Sequence, residues 1–192
     1  MATRLRVSGS VDRSALLAVA NTRHGHEARR PFPAPITCAD GSERDRLLDP
    51  EGAKAFLAAC GLAVPDAPLD DAHVEALRQV RAAVRALASG DADAYRDGLA
   101  ALSTGATFRL RGRELRPEAP GWDGVIAALL IPLTELYAQR ERLKRCENPA
   151  CGWVFVDETR GRNQVWCADQ GCGPRLRVRE FRRRRRIGIT AA

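Results

Sequence analysis

Four cysteines near the C-terminus constrain this chain more than any other feature. Cys146, Cys151, Cys167 and Cys172 run as C-x4-C-x15-C-x4-C. Two close pairs, separated by the length of a strand, a turn and a second strand, have the spacing of a tetrahedral site with four thiolate ligands. Such a site has a closed ligand shell and no position for water or substrate. It points to one structural zinc ion; two disulfides or an iron–sulfur cluster are the alternatives the spacing leaves open.

The residues between the cysteines fit that reading. Pro149 and Gly152 suit a tight turn between the first two ligands. Trp153 to Asp157 and Asn163 to Cys167 alternate as two strands, with Glu158 to Arg162 as the turn between them. Cys172 then opens a final helix. This order predicts a treble-clef-like module, with Trp153, Phe155 and Trp166 as its small core. About 50 residues bury too little apolar surface to stand without a metal.

Charge separates this segment from the rest. Residues 142–192 carry 13 Lys or Arg against 5 Asp or Glu, whereas residues 1–141 carry 18 against 19. The net charge of +7 is therefore confined to the last quarter. A near-neutral body with a basic end implies a polyanionic partner. The candidate nucleic-acid contacts are Arg160 and Arg162 in the turn and Arg175, Arg177, Arg179, Arg182, Arg183, Arg184, Arg185 and Arg186 in the helix. Five consecutive arginines surround a helix instead of lining one face, so Arg182 to Arg186 suit phosphates. Arg175 and Arg179 are the candidates for a groove-facing surface. A solubilising tail is the plain alternative. Lysine occurs only at positions 54 and 144, as a GC-rich genome favours, so arginine number alone carries less weight than its position.

The first 141 residues read as mostly helical. A short helix is predicted over residues 14–24, with Ser14 as its cap. Residues 25–46 read as a long loop, and a helix over residues 49–60 opens on Asp49, Pro50 and Glu51. A helix from Asp70 or Asp71 to Ala88 places Val74, Leu77, Val80, Val84 and Leu87 on one face. Another follows from Asp91 to Leu102, then a hairpin over residues 107–116, then a strongly apolar helix over residues 122–142. The fold class is α+β: a mostly helical N-terminal domain, residues 1–141, with a small antiparallel sheet, and a four-cysteine finger, residues 142–192. No apolar run approaches the roughly 18 residues of a membrane helix, and Met1 to Val7 hold no signal-peptide core. The expectation is a cytoplasmic protein.

Other chemistry is sparse. His24 and His26 have a spacing that can ligate a metal, with Asp40, Glu43 and Asp45 nearby. The plainer reading is a helix end followed by a polar loop. His73 reads as structural, and Arg109, Arg111 and Arg113 as a solvated sheet face or an anion contact for a small effector. Cys60 reads as a core residue, and Cys38 has no assigned role.

The stretch Arg142-Leu-Lys-Arg-Cys146, Asn148-Pro149-x-Cys151-Gly-Trp153-x-Phe155-x-Asp157, then Asn163-x-x-Trp166-Cys167-x4-Cys172-Gly173-x-Arg175 resembles the CGNR zinc-finger family. Those are bacterial two-domain proteins regarded as stress-induced transcription regulators, whose N-terminal part is the α+β ABATE domain. Leu17 to Arg23, with Asn21 and Thr22, resembles the opening of that domain, and Leu48 to Glu51 and Phe56 to Leu62 its next helix. One position departs: Cys172-Gly173-Pro174-Arg175 stands where the family has Cys-Gly-Asn-Arg. Pro174 suits the first turn of a helix but supplies no amide side chain.

Charge and resemblance together lead to one expectation. The chain is a zinc-dependent regulator that binds double-stranded DNA through its finger, and its N-terminal domain senses a small-molecule effector or acts as a scaffold. It is not expected to be an enzyme. Two other readings differ in class. One is an RNA or ribonucleoprotein binder using the same helix. The other is an enzyme with a site in the N-terminal domain near Asn21, Arg23 and His24. The sequence leaves open the operator, the effector, the direction of regulation and the oligomeric state.

Overall fold

The computed structural model describes residues 11–24, 44–59, 62–112, 114–148, 151–167 and 172–190. The side chains of residues 23, 24, 44, 175, 176, 179, 180 and 186–190 lie outside that description. Among the described residues the order is α1 (Arg13–Ala20), β1 (Arg23–His24), β2 (Arg44–Asp45), α2 (Pro50–Ala59), α3 (Asp71–Ala88), α4 (Ala92–Ser103), β3 (Phe108–Arg111), β4 (Glu114–Pro117) and α5 (Gly121–Tyr137). A 3-10 turn (Arg140–Arg142), β5 (Leu143–Arg145), β6 (Val154–Val156) and α6 (Cys172–Thr190) complete it. Three antiparallel strand pairs, β1–β2, β3–β4 and β5–β6, stand among the helices, which makes the fold α+β.

Most helix starts follow local chemistry. Asp49 accepts from the Gly52 amide at 2.7 Å, Asp70 from His73 at 2.9 Å and Asp91 from Ala94 at 3.0 Å. Each satisfies an amide that the first turn leaves without a helical partner. At α1 the predicted cap is wrong. Asp12, not Ser14, accepts from Ala15 at 3.0 Å, and the helix begins at Arg13. α1 also stops at Ala20 instead of reaching His24, and Arg23 and His24 pair with Asp45 and Arg44.

α3 is the centre of the body. Val74, Leu77, Val80, Ala83, Val84 and Leu87 are buried along one face, and α1, α4 and α5 pack around it. Full burial of one such aliphatic side chain contributes about 1.5–3 kcal/mol. α5 is apolar on nearly all sides, with Trp122, Ile126, Leu129, Leu130, Leu133 and Leu136 buried. It ends at Tyr137, earlier than the predicted residue 142, because the chain must straighten to enter β5. Arg81 on α3 donates to both oxygens of Asp45, at 2.5 and 2.9 Å, and to Thr22 at 3.1 Å, which ties the β1–β2 pair to the bundle.

The cysteine-bearing segment joins this same core. Leu143, Val154, Trp153 and Phe155 belong to one continuous apolar cluster with α1, α3 and α5. The predicted hairpin between residues 153–157 and 163–167 is not what forms. β6 pairs with β5, in the register Leu143↔Val156, Lys144↔Phe155, Arg145↔Val154. Side chains explain the difference. Asp157 accepts from the Thr159 amide and hydroxyl and from the Gln164 amide, while Lys144 donates to the carbonyls of Arg162 and Gln164. The loop's backbone groups are thus met by two side chains instead of a strand ladder.

Candidate metal centre

The four cysteines meet. Their sulfurs all lie within 4.8 Å of one another, and the Cys151–Cys167 and Cys167–Cys172 separations are both 3.6 Å. Four ligands around an ion at about 2.3 Å in tetrahedral geometry stand about 3.8 Å apart, so the cluster has the right size for a metal. A disulfide bond of about 2.05 Å would be far shorter, and the four are free thiols. All four are buried. Cys146 follows β5, Cys151 precedes β6, Cys167 closes the 163–167 segment and Cys172 is the first residue of α6.

Local structure fixes each ligand. The Cys146 amide donates to the Trp153 carbonyl at 2.7 Å, and the Cys151 and Gly152 amides donate to the Asn148 carbonyl at 2.8 and 3.3 Å. This tight turn needs a left-handed residue, and Gly152 supplies it with φ 62°. Gly173 has a different reason. A Cβ there would lie 2.7 Å from Trp166 Cε3, so the indole packs directly on the glycine backbone. Arg177 also lies over that ring, 5.9 Å from its centroid. Pro174 occupies the first turn of α6, where its missing amide leaves no helical bond unmade.

The electrostatics favour a bound cation. The hydrogen bond from Cys151, burial and the neighbouring thiols together push the Cys167 thiol far above its ordinary range. Burial raises Cys172 to about 11, against opposing hydrogen bonds from Asn148 and Cys167. Four buried sulfurs at this spacing lose their protons together only when a positive ion shares the cluster. The residues therefore fit a metal ion.

Asp157 and Asn21 complete the setting. Burial alone would raise the Asp157 carboxyl. Lys144 at 2.8 Å, the Thr159 hydroxyl and amide and the Gln164 amide outweigh it and hold the group well below the usual carboxylate range. Asn21 is buried, and its side-chain amide forms a reciprocal pair with Val154: Nδ2 donates to the Val154 carbonyl and Oδ1 accepts from the Val154 amide, both at 2.8 Å. It pairs with β6 as another strand would. A residue predicted as a ligand contact is thus engaged with the cysteine-bearing segment. An Asn-Thr pair directly after an apolar helix was the only sequence signal for it.

The remaining predicted residues are placed as follows. Arg182, Arg183, Arg184 and Arg185 are exposed on α6 with Arg177 and the apolar Val178 and Phe181. Arg175, Arg179 and Arg186 lie on α6 by their backbone, but their side chains are outside the described set. Arg160 is exposed, and Arg162 donates to Glu141 at 2.6 Å. Arg23 and His24 are placed by backbone only, in β1. His26, Cys38, Asp40, Glu43, Cys60 and Arg113 lie outside the described residues. Asp45 is held by Arg81. Arg109 donates to Glu118 at 2.9 Å.

The ABATE family model, described as "Putative stress-induced transcription regulator", matches residues 13–139. The chain belongs to the ABATE family. Directly after that match, the CGNR zinc-finger model covers residues 142–185, which hold all four clustered cysteines. The order of the two matches is that of the resemblance read from the sequence. A search of curated proteins found no match. No helix among the described residues is long and apolar enough to cross a membrane.

Proposed function

We propose that this ABATE-family protein is a DNA-binding transcription regulator whose finger holds one structural zinc ion. The observation that carries the reading is the origin of α6. Its first residue is Cys172, a member of the buried sulfur cluster, and its exposed surface carries Arg177 and Arg182 to Arg185. A metal bound by the four cysteines would fix the start and direction of a strongly basic helix, which suits the phosphates of a duplex. Four thiolates favour zinc and fill every position of a tetrahedral ion, which supports a structural, non-enzymatic role. Free thiols at ligand distance suit a reducing compartment, in accord with the cytoplasm.

The N-terminal region serves as scaffold or sensor. A cleft of about 400 Å³ between α3, α4 and α5, with His73, Gln79, Thr107 and Asp123 in its wall, has room for a small effector. The duplex-DNA reading is tested by replacing Arg182 to Arg186 with Ala. Affinity should fall alike on all sequences, and the slope of log affinity against log salt should become shallower by several units, at roughly 0.9 per phosphate contact. Unchanged binding at every salt concentration would overturn it. Preference for structured RNA over duplex DNA in direct competition would replace it by the RNA reading.

A further inference from the structure

The cleft between α3, α4 and α5 has an apolar floor and an acidic rim. Its volume of about 400 Å³ lies within the range of small-molecule sites. The buried Ile126 and Ala127 form the floor with Ala76, Leu102 and Ala106, and Gln79 and Thr107 add hydrogen-bonding groups to the wall. The rim is built around His73. Its Nδ1 stands 2.7 Å from Oδ1 of Asp70, the cap of α3, and its Nε2 stands 3.4 Å from Oδ1 of Asp123, in the first turn of α5. The imidazole thereby holds Asp123 beside the cleft, where its side chain is 76% exposed and open to a ligand.

Charge selects the ligand that such a cleft takes. Two carboxylates share one imidazole, so the rim is net negative whether the ring is neutral or carries a second proton. The positive ends of α3 and α5 are already offset by acid, with Asp70 and Asp71 at the first and Asp123 at the second. Among the described residues no Lys or Arg lines the cleft, although the chain has 31 of them. An anion would meet repulsion at this rim, and a cation attraction. No aromatic ring lines the cleft among the described residues, so a quaternary ammonium, which is held on ring faces, is poorly matched. An amine with N–H groups is well matched, because it donates charge-assisted hydrogen bonds to a carboxylate. We propose that the cleft binds a protonated organic amine with a compact apolar body, its N–H groups on Asp123 and its body on Ala76, Ala106 and Ile126. This inference rests on the effector-cleft reading above.

The test uses the full-length protein, with the methyl groups of Ala76, Ala106, Ile126 and Ala127 followed by NMR. Four probes share one apolar body: phenethylamine, phenethyl alcohol, phenethyltrimethylammonium and phenylpropionate. The amine should shift these methyls saturably at millimolar concentration, and the other three should bind at least about tenfold more weakly. Asp123→Asn removes the charge and keeps the shape, so it should weaken the amine about tenfold and leave the alcohol unchanged. Ala76→Leu fills the cleft and should block the amine and the alcohol alike; amine binding left intact in that variant would overturn the proposal. The comparison of the four probes on the parent protein holds even where a variant fails to fold. If any of the other three probes binds as tightly as the amine, or if a folded Asp123→Asn binds the amine like the parent, the amine inference falls and the effector reading stands. If none of the four probes moves these methyls, the effector reading falls and takes the inference with it.

Discussion

Removing the Asn21 amide should loosen the joint between the helical body and the cysteine-bearing strand. Asn21 gives one hydrogen bond to Val154 and receives one, both at 2.8 Å, in a site from which water is excluded. Asn21→Ala deletes both. It leaves the Val154 amide and carbonyl without these partners, and an unmet buried backbone group costs about 1–3 kcal/mol. Water entering the small space left by the side chain offsets part of this, so the expected loss is about 3 kcal/mol. At about 2–4 °C per kcal/mol for a chain of this size, the melting temperature should fall by about 9 °C. Asn21→Asp keeps the acceptor for the Val154 amide but loses the donor and buries a carboxyl, so it too should destabilise. Thermal denaturation followed by circular dichroism reads the global effect. Amide exchange at Val154 reads the local one, and it should quicken more than exchange in the α3 core. A loss below about 0.5 kcal/mol for Asn21→Ala, with unchanged exchange at Val154, would refute the claim that this pair joins the two parts.

Two further outcomes follow from the finger. Gly173→Ala forces a methyl against the Trp166 ring at 2.7 Å, so it should destabilise by about 1–3 kcal/mol and speed release of a bound metal to a chelator; wild-type melting and release rates would contradict the stacking account. Asp157 is held below its ordinary pKa in the folded chain, so its contribution is present above about pH 4, the unfolded value, and fades as pH falls through the lower folded value. Stability measured from pH 6 down to pH 3 should therefore decline in the parent and change less in Asp157→Asn, while parallel declines in both would sink the assignment.

The sequence was most legible where a local rule decides the outcome. Asp49, Asp70 and Asp91 announce three helix starts, and the apolar positions of α3 are the ones that are buried. The cysteine spacing announces the cluster, because metal-ligand geometry is fixed by chemistry and not by the surrounding fold. Apart from the α1 cap, a choice between two nearby residues, the errors come from partners distant in sequence. α1 ends early because Asn21 turns toward Val154, and nothing near Asn21 in the sequence specifies that strand. β5 was hidden because Leu143-Lys144-Arg145 continues an apolar helix with charged residues and has no turn signal before it. β6 pairs with β5 instead of residues 163–167 because Asp157 and Lys144 satisfy the intervening loop themselves. An Asp followed two residues later by Thr159 is a side-chain-to-backbone turn pattern, the one available signal for that role.

The central claim is that a metal organises the basic helix for DNA, and one comparison tests it most directly. Duplex affinity is measured for the same full-length protein with zinc bound and after removal of zinc by a chelator. The arginines are identical in both forms. Four thiolates with one divalent ion carry net negative charge, so stripping the metal and protonating the sulfurs makes the finger more positive. Simple attraction of a basic tail to phosphate would then be equal or stronger without metal. The account predicts the opposite: binding weakens at least about tenfold on metal removal and returns when zinc is restored. Equal or tighter binding by the metal-free protein would contradict it.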